Sequence, residues 1–255
     1  MGRLEGKFAF ISGAATGIGA ATARRFVAEG ASVAILDVNE TDGQALADEL
    51  AGDTGAARFY ACDMSDLDAV QHAVDAAAAA FGGLDIVFAN AAVGTIVIGG
   101  TVESIEPARW DLAFNVNTRG IYALTRAALP HLRTRGGGSI ILTASSAVFI
   151  GASGRPTHAY SATKGALVSL ARSMAVTYGP ENIRVNALAP GFVRTRLTDD
   201  IASRPESLQQ AIAGIPLRRY AMPDELASCA LFLASDDASF VTGSVLVADG
   251  GQTIS

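Results

Sequence analysis

The chain has 255 residues, of which 50% are hydrophobic and 17% charged, enough apolar material for a sizeable core and for subunit interfaces. Its net charge of −6 argues against nucleic acid as a main partner, because phosphate binding needs a basic surface. Its apolar runs are shorter than the roughly 18 residues of a membrane span and its start lacks a secretory hydrophobic region, so we expect a cytoplasmic protein.

Short, unbroken apolar runs alternate with longer amphipathic or alanine-rich segments. Unbroken runs are typical of parallel strands covered on both faces, and they occur at Phe8 to Ile11, Val33 to Leu36, Arg58 to Ala61, Ile86 to Ala89, Ile140 to Leu142, Ile183 to Leu188 and Val245 to Val247. Helices are predicted near 17–30, 40–51, 66–81, 104–132, 158–179 and 223–235. This alternation predicts one α/β domain over residues 1–255, a Rossmann-type doubly wound parallel sheet of about seven strands with helices on both faces. Residues 196–215 break the rhythm and are predicted to form a substrate loop or lid within it.

A glycine-rich turn follows the first predicted strand. Gly13, Gly17 and Gly19 have the spacing Gly-x-x-x-Gly-x-Gly at a strand-to-helix junction, where the backbone could approach a pyrophosphate held at the helix N-terminus. A tight turn that needs glycine for positive φ would have the same spacing, so the turn alone favours neither interpretation.

Asp37 ends the second predicted strand, where an acid would accept hydrogen bonds from an adenosine ribose. Its charge would repel a 2′-phosphate, and Ala14, Ala15 and Val38 offer no cation to bind one. A simple strand-end cap is the alternative role for this aspartate. Together with the glycine turn, Asp37 favours NAD over NADP as the cofactor.

Tyr160 and Lys164 are four residues apart in a predicted helix and therefore share one face. A phenol alone has a pKa of about 10, too high for a base at neutral pH, whereas a nearby ammonium favours the phenolate. The spacing arises by chance in many helices. With the glycine turn, Asn117 and Ser145, however, it predicts a catalytic site.

The remaining chemistry-bearing residue types predict neither a metal site nor a disulfide. His72, His131 and His158 are scattered without metal-ligand spacing. Cys62 and Cys229 lack any Cys-x-x-Cys pattern. Metal catalysis is therefore not expected.

These motifs resemble those of the short-chain dehydrogenase/reductase family over nearly the whole chain. The glycines match the family's cofactor turn, although Ser12 stands where threonine is usual, and residues 89–92 are similar to its Asn-Asn-Ala-Gly element with alanine for the first Asn and for the Gly. Residues 190–195 resemble the segment that holds the nicotinamide carboxamide, and Asp63 the acid that contacts adenine. The cofactor-binding residues implied are Ser12, Gly13, Thr16, Gly17, Ile18, Gly19, Asp37, Asp63, Met64, Asn90, Ala91, Tyr160, Lys164, Pro190, Gly191, Val193 and Thr195.

The resemblance also implies a Ser-Tyr-Lys-Asn catalytic set. Tyr160 would remove the hydroxyl proton, Lys164 would lower its pKa and bind the nicotinamide ribose, and Asn117 would hold a water that relays the proton. Counting from Gly138 places the serine at Ser145, which implies two residues more before Tyr160 than the commonest family spacing, as in some polyol-oxidising members. Ser146 is the alternative serine. A helix-kinking polar residue and a surface lysine are the structural alternatives for Asn117 and Lys164.

Candidate substrate contacts follow the same pattern. They are Ser145, Phe149, Arg155, His158 and Phe192, with Val93, Gly94, Thr95, Ile96, Ala147 and the 196–215 segment as further pocket candidates. The set is mostly apolar, which suits a secondary alcohol or ketone, while Arg155 and His158 could contact polyol hydroxyls or a carboxylate. Solvated loop tips are the alternative for those two residues. Trp110 is expected in the core or an interface.

The resulting interpretation is an NAD-dependent dehydrogenase of a secondary alcohol, with a polyol or sugar alcohol as a candidate substrate. An NADPH-dependent biosynthetic ketoreductase, for example of acyl-carrier thioesters, is the first alternative, and a non-catalytic cofactor-binding regulator is the second. By the resemblance, residues 249–251 and the helices near 104–132 and 158–179 imply a homotetramer, with a dimer as the alternative.

Overall fold

The computed structural model describes residues 2–52, 56–151 and 156–255. Its strands are β1 (Phe8–Ser12), β2 (Ser32–Asp37), β3 (Ala57–Ala61), β4 (Ile86–Ala89), β5 (Gly138–Thr143), β6 (Ile183–Pro190) and β7 (Val245–Ala248). They form a seven-stranded sheet in the order β3-β2-β1-β4-β5-β6-β7, and every neighbouring pair is parallel. The predicted doubly wound parallel sheet is confirmed.

The helices are α1 (Gly17–Ala28), α2 (Glu40–Ala51), α3 (Leu67–Phe81), α4 (Thr95–Ile98), α5 (Pro107–Phe114), α6 (Ile121–Thr134), α7 (His158–Tyr178), α8 (Asp199–Ala202), α9 (Pro205–Ala213) and α10 (Pro223–Ala234). The long helix predicted over 104–132 begins later, at Pro107, because proline is favoured in the first helical turn. It is also interrupted by a π-helical turn, Asn115–Gly120, which joins α5 to α6. The segment 196–215, for which we predicted a substrate loop or lid, contains the helices α8 and α9. No helix among the described residues combines the length and apolarity needed to span a membrane.

The apolar runs of the five central strands are unbroken because both faces of the sheet are buried there. The edge strands β3 and β7 are more exposed. Successive side chains of a strand point to opposite faces, so Phe10 packs in one core cluster while Ile11 packs in the other. The first cluster lies under α3, α6 and α7, and the second under α1, α2 and α10. Trp110 packs against the smaller cluster of Ile98, Ala113 and Ala159, as expected for a core residue.

The amino ends of the central strands are held together by one buried carboxylate. Asp85 accepts a hydrogen bond from the backbone N–H of Phe8 at 2.9 Å and two from the Arg135 guanidinium at 3.1 and 3.3 Å. The same guanidinium lies over the Phe8 ring, with its Cζ 5.5 Å from the ring centroid. This cluster holds the end of the sheet at which the strands begin, opposite to the end that bears the cleft.

The cleft lies at the carboxyl ends of the strands, where the chain changes direction across the sheet. From β1 the chain goes to β2 and β3 on one side, and it returns to β4 on the other side of β1. The loops that leave β1 and β4 therefore separate and open a crevice between them. Such switch points are the usual ligand sites of open parallel sheets.

Candidate active site

The glycine turn after β1 approaches its neighbours too closely for a side chain. Gly13 and Gly17 have φ of +65° and +59°, and a Cβ on Gly13 would lie 2.7 Å from the Cα of Ala91. A Cβ on Gly19 would meet the carbonyl group of Gly13. Glycine is therefore required here both for backbone conformation and for space.

The N-terminus of α1 is available to an anion. Within the described part of the chain, Thr16 at its N-cap makes no side-chain capping bond and the first turn has no acidic residue. By contrast, Asn39 caps α2 and Asp66 caps α3 through their side chains. A helix start whose N–H groups have no side-chain acceptor is suited to a phosphate, so this end of the cleft fits the diphosphate of a dinucleotide.

Asp37 caps the end of β2 and also lines the cleft. Its Oδ2 accepts the N–H of Ala15 and its Oδ1 accepts the N–H of Asn39, both at 3.0 Å, so the carboxylate does cap the strand end. The residue also lines the cleft. Since two carboxylate oxygens offer about four lone pairs, acceptor capacity remains for ribose hydroxyls.

Ser12 acts behind the cleft. Its side chain is buried, and its hydroxyl oxygen accepts the N–H groups of Asn90 and Ala91 at 3.1 and 3.2 Å. The Asn90 amide donates to the carbonyl oxygen of Gly13 at 3.0 Å and accepts from the Thr143 hydroxyl at 3.4 Å. These bonds join the ends of β1, β4 and β5, and they position the loops around the cofactor end.

Ser145, Tyr160 and Lys164 meet at the end of β5. The Ser145 hydroxyl lies within hydrogen-bonding reach of the Tyr160 phenol, an interaction that lowers the pKa of the phenol. Lys164 is 1% exposed, and its Nζ donates to the backbone oxygen of Thr143 at 2.6 Å. Ser146, the alternative serine, is buried and lies outside the described cleft lining, whereas Ser145 is part of it.

Burial governs the protonation of this group. It raises the pKa of Tyr160 above its ordinary value, against the opposing effect of the Ser145 hydrogen bond. It also lowers the pKa of Lys164 to about 7, because an ammonium is costly to hold away from water. We expected Lys164 to favour the phenolate, whereas the larger effect on Tyr160 here is burial, which favours the neutral phenol.

Asn117 lies fully buried in the π-helical turn. Its Oδ1 accepts the N–H of Val93 at 2.8 Å, and its Nδ2 donates to the Val93 carbonyl oxygen at 3.1 Å and to the Thr163 hydroxyl at 3.3 Å. Both ends of the amide are therefore engaged. The side chain fixes the loop after β4 against α7, which carries the tyrosine and the lysine.

Most of the predicted site residues line one cleft of about 480 Å³. They are Gly13, Thr16, Gly17, Ile18, Asp37, Asp63, Met64, Asn90, Ala91, Val93, Ser145, Tyr160, Lys164, Pro190, Gly191, Val193 and Thr195. Lining residues that the sequence analysis did not single out include Leu112, Val116 and Thr143. Leu112 and Val116 are apolar residues at helical i, i+4 spacing just before Asn117, a signal that could have identified them.

Several predicted substrate residues lie elsewhere. Phe192 packs edge-on against Tyr220 and lines a second cavity between β7 and α10. His158 accepts the backbone N–H of Val102 through Nδ1 at 2.9 Å, and Phe149 is 45% exposed. Arg155 lies outside the described residues. The described cleft lining also omits Gly94, Thr95, Ile96 and Ala147.

Comparisons with known proteins agree along nearly the whole chain. A family model described as "Enoyl-(Acyl carrier protein) reductase" matches residues 13–253. The D-threitol dehydrogenase of Mycolicibacterium smegmatis is 38% identical over 254 residues, covering 99% of this chain and 95% of that protein. A short-chain type dehydrogenase/reductase from Mycobacterium marinum has a TM-score of 0.92 at 34% identity, covering 99% of this chain and 97% of its own. A gluconate 5-dehydrogenase from Burkholderia cenocepacia, in complex with NADP and tartrate, has a TM-score of 0.91 at 31% identity with the same coverage.

Proposed function

The chain belongs to the short-chain dehydrogenase/reductase family, and from this we propose that it transfers a hydride between NAD(H) and a secondary alcohol or ketone, with polyols as the favoured substrates. The observation that carries the proposal is the meeting of Ser145, Tyr160 and Lys164 in a cleft whose other end has an uncapped helix N-terminus. One cavity thus has side chains suited to proton transfer from a hydroxyl group and a helix N-terminus suited to binding a diphosphate.

We assign the cofactor as NAD on the basis of Asp37. Its carboxylate stands at the ribose end of the cleft, where a 2′-phosphate would meet like charge. Arg196, a cationic residue of the cleft lining, is paired with the carboxylate of Asp42. NADP is the comparison cofactor, because the gluconate 5-dehydrogenase structure was solved with it.

The catalytic roles follow from the contacts. A bound nicotinamide ring supplies the hydride acceptor or donor. As the phenolate, Tyr160 removes the hydroxyl proton of an alcohol, and as the neutral phenol it donates a proton to the oxygen of a ketone in the reverse direction. Ser145 donates a hydrogen bond to the same oxygen and stabilises its developing charge. Lys164, whose pKa lies near 7, gains and loses a proton close to neutral pH.

Asn117 contributes by position. Because its amide is engaged by Val93 and Thr163, we assign the holding of a relay water to the backbone of its π-helical turn. Such turns alter the regular hydrogen bonding of a helix, and they occur frequently at functional sites.

Two observations support different substrate classes. The likeness to D-threitol dehydrogenase favours a polyol. The likeness to the 3-oxoacyl-[acyl-carrier-protein] reductase of Thermotoga maritima, 34% identical over 253 residues, favours the alternative, reduction of a 3-oxoacyl thioester. Val93, Leu112, Val116 and Leu197 give the cleft an apolar wall beside the catalytic hydroxyls, which suits the carbon skeleton of either substrate.

The test is a spectrophotometric screen of polyols, sugars, cyclic and aliphatic secondary alcohols with NAD and then with NADP, alongside reduction of a 3-oxoacyl thioester. Turnover of a polyol with NAD, abolished in Tyr160→Phe, is the expected result. Preference for NADPH with the thioester would replace the proposal by the ketoreductase. Full activity of Tyr160→Phe would refute the catalytic assignment.

We also propose a homotetramer in the cytoplasm. Tyr122 on α6 and Val176 on α7 are 48% and 81% exposed, and Val247 lies on the edge strand β7. Apolar side chains on helix faces and at a sheet edge are suited to contact with further subunits. Light scattering coupled to size exclusion should give four times the chain mass, and a monomer would contradict this assignment.

A further inference from the structure

A short 3₁₀ turn lies across the mouth of the cleft. We call residues 195–198 the strap. At one end, Thr195 rests on the glycine turn, since a Cβ on Gly17 would lie 3.2 Å from its Cγ2. Further along, Leu197 rests on the loop after β4, since a Cβ on Gly94 would lie 2.5 Å from its Cδ2. The strap therefore contacts both loops between which the crevice opens.

A third contact fastens the strap to α2. The Nη1 of Arg196 donates to the Oδ2 of Asp42 at 2.7 Å, across 154 residues of sequence. The same Oδ2 accepts the Asn39 amide at 2.7 Å, and the backbone N–H of Asn39 is held by Asp37. Arg196 is thus connected through two side chains to the carboxylate that we assign to the adenosine ribose.

The strap itself is an ordered unit. The hydroxyl of Thr198 accepts the N–H of Thr195 at 3.0 Å and donates to the carbonyl oxygen of Val193 at 2.6 Å. Val193 in turn forms an isolated bridge with Ala221. Since the turn is internally bonded, it would move as one piece, and the exposed ion pair is a contact that can be broken from solvent.

We propose that Arg196 and Asp42 are cofactor-retaining residues, whose ion pair closes the strap over a bound dinucleotide and slows its release. The inference rests on the proposed function, because it requires the cleft to hold a dinucleotide. Thr195 lies directly beside the glycine turn at which the diphosphate would bind, so a fastened strap leaves the cofactor less room to escape. The ion pair is near β2. Strands β1 and β4 lie between β2 and β5, and the catalytic hydroxyls are at the end of β5.

The effect should be modest and sensitive to salt. The side chains of Arg196 and Asp42 are 65% and 36% exposed. Exposed ion pairs of this kind change an equilibrium by about two- to fivefold, and salt near 1 M screens them over roughly 3 Å. Loss of the pair is therefore expected to raise the NADH dissociation rate by about two- to fivefold at low ionic strength.

The experiment measures NADH release from the full-length protein by stopped-flow fluorescence, with excess NAD as the displacing ligand. It compares the wild type with Arg196→Gln, Asp42→Asn and the double variant, at low salt and at high salt. Arg24→Gln is the matched control, because it removes another exposed pair to α2, that with Glu49, at a site away from the cleft lining. Thermal unfolding of each protein checks that folding is unchanged.

The proposal predicts faster NADH release in both single variants and no further increase in the double variant. It also predicts that all release rates converge at high salt. The Arg24→Gln protein should match the wild type. If the protein binds NADH but both single variants release it at the wild-type rate, the role of the Arg196–Asp42 pair is overturned and the proposed function is unaffected. A wild type that binds neither NADH nor NADPH would overturn both; if it binds only NADPH, the same comparison is made with NADPH.

Discussion

The ammonium group of Lys164 donates a hydrogen bond to the backbone carbonyl oxygen of Thr143 at 2.6 Å, and its Nζ lies 5.8 Å from the centroid of the Tyr160 ring. A carbonyl dipole stabilises a buried ammonium less than a carboxylate would. Burial therefore lowers the pKa of Lys164 to about 7. The residue that we place at the centre of proton transfer is thus held at a cost to folding.

This cost should be visible as a pH-dependent stability difference. The pKa of Lys164 is about 7 in the folded protein and about 10.5 in the unfolded chain, so between these values the unfolded chain binds a proton that the folded protein lacks. The contribution of Lys164 to the free energy of unfolding therefore rises with pH across this window, and the full penalty applies below about pH 7.

We expect Lys164→Met to be more stable than the wild type at pH 7 by a few kcal/mol, because the variant has no ammonium to bury. The loss of the hydrogen bond to Thr143 should reduce this gain by about 1 kcal/mol. The advantage should shrink as the pH approaches 9.5. Urea denaturation at the two pH values measures it, with Lys7→Met, which removes the chain's other lysine, as the control. A difference from wild type that is constant with pH would contradict the assignment.

The identity of the catalytic serine can be tested with a neighbouring hydroxyl. Ser145→Ala should lower kcat by about 100-fold, because a hydrogen-bond donor to the developing oxyanion is lost. Ser146→Ala should stay within about twofold of wild type in kcat, since its side chain is outside the described cleft lining. Steady-state kinetics decide, and the reverse order of effects would assign the role to Ser146.

Tyr160→Phe should lose about 1,000-fold in kcat while keeping its affinity for NADH.

The cofactor assignment predicts the behaviour of Asp37→Asn. Replacing the carboxylate by an amide removes the like charge facing a 2′-phosphate and weakens the acceptor for ribose hydroxyls. The ratio of kcat/KM for NAD to that for NADP should fall by about tenfold or more. Because Asp37 also accepts the N–H groups of Ala15 and Asn39, a small loss of Tm is expected. An unchanged ratio would show that Asp37 serves the strand end alone.

Stability and activity should separate at Asp85. Asp85→Ala leaves the Phe8 N–H without its acceptor and the Arg135 guanidinium without its partner, which should cost about 3 kcal/mol in the free energy of unfolding. The kcat of the remaining folded protein should be unchanged, because this cluster lies at the sheet edge opposite to the cleft. Glu49→Gln, which breaks the exposed pair with Arg24, should cost less than about 1 kcal/mol. Equal losses in the two variants would refute the contrast.

The sequence determined the sheet and most of the cleft. Runs such as Phe8 to Ile11 and Ile140 to Leu142 lie within observed strands, because a strand buried on both faces must be apolar at every position. Tyr160 and Lys164 share a face of α7 because their spacing is close to one helical turn. Local periodicity also predicts where the loops that follow the strands lie, because the carboxyl ends of parallel strands are all at the same end of the sheet.

What the tertiary structure decided was which of these residues meet. The bonds from Asn117 to Val93, from Lys164 to Thr143 and from Arg196 to Asp42 join segments that are 24, 21 and 154 residues apart. Phe192 lies against Tyr220 and not in the cleft lining, although its segment forms part of that lining. Helix and strand periods fix the direction of a side chain relative to its own element, but which partner it reaches depends on how the elements pack around the sheet. The burial that lowers the pKa of Lys164 arises at that same level, because it requires α7 to close over the end of β5.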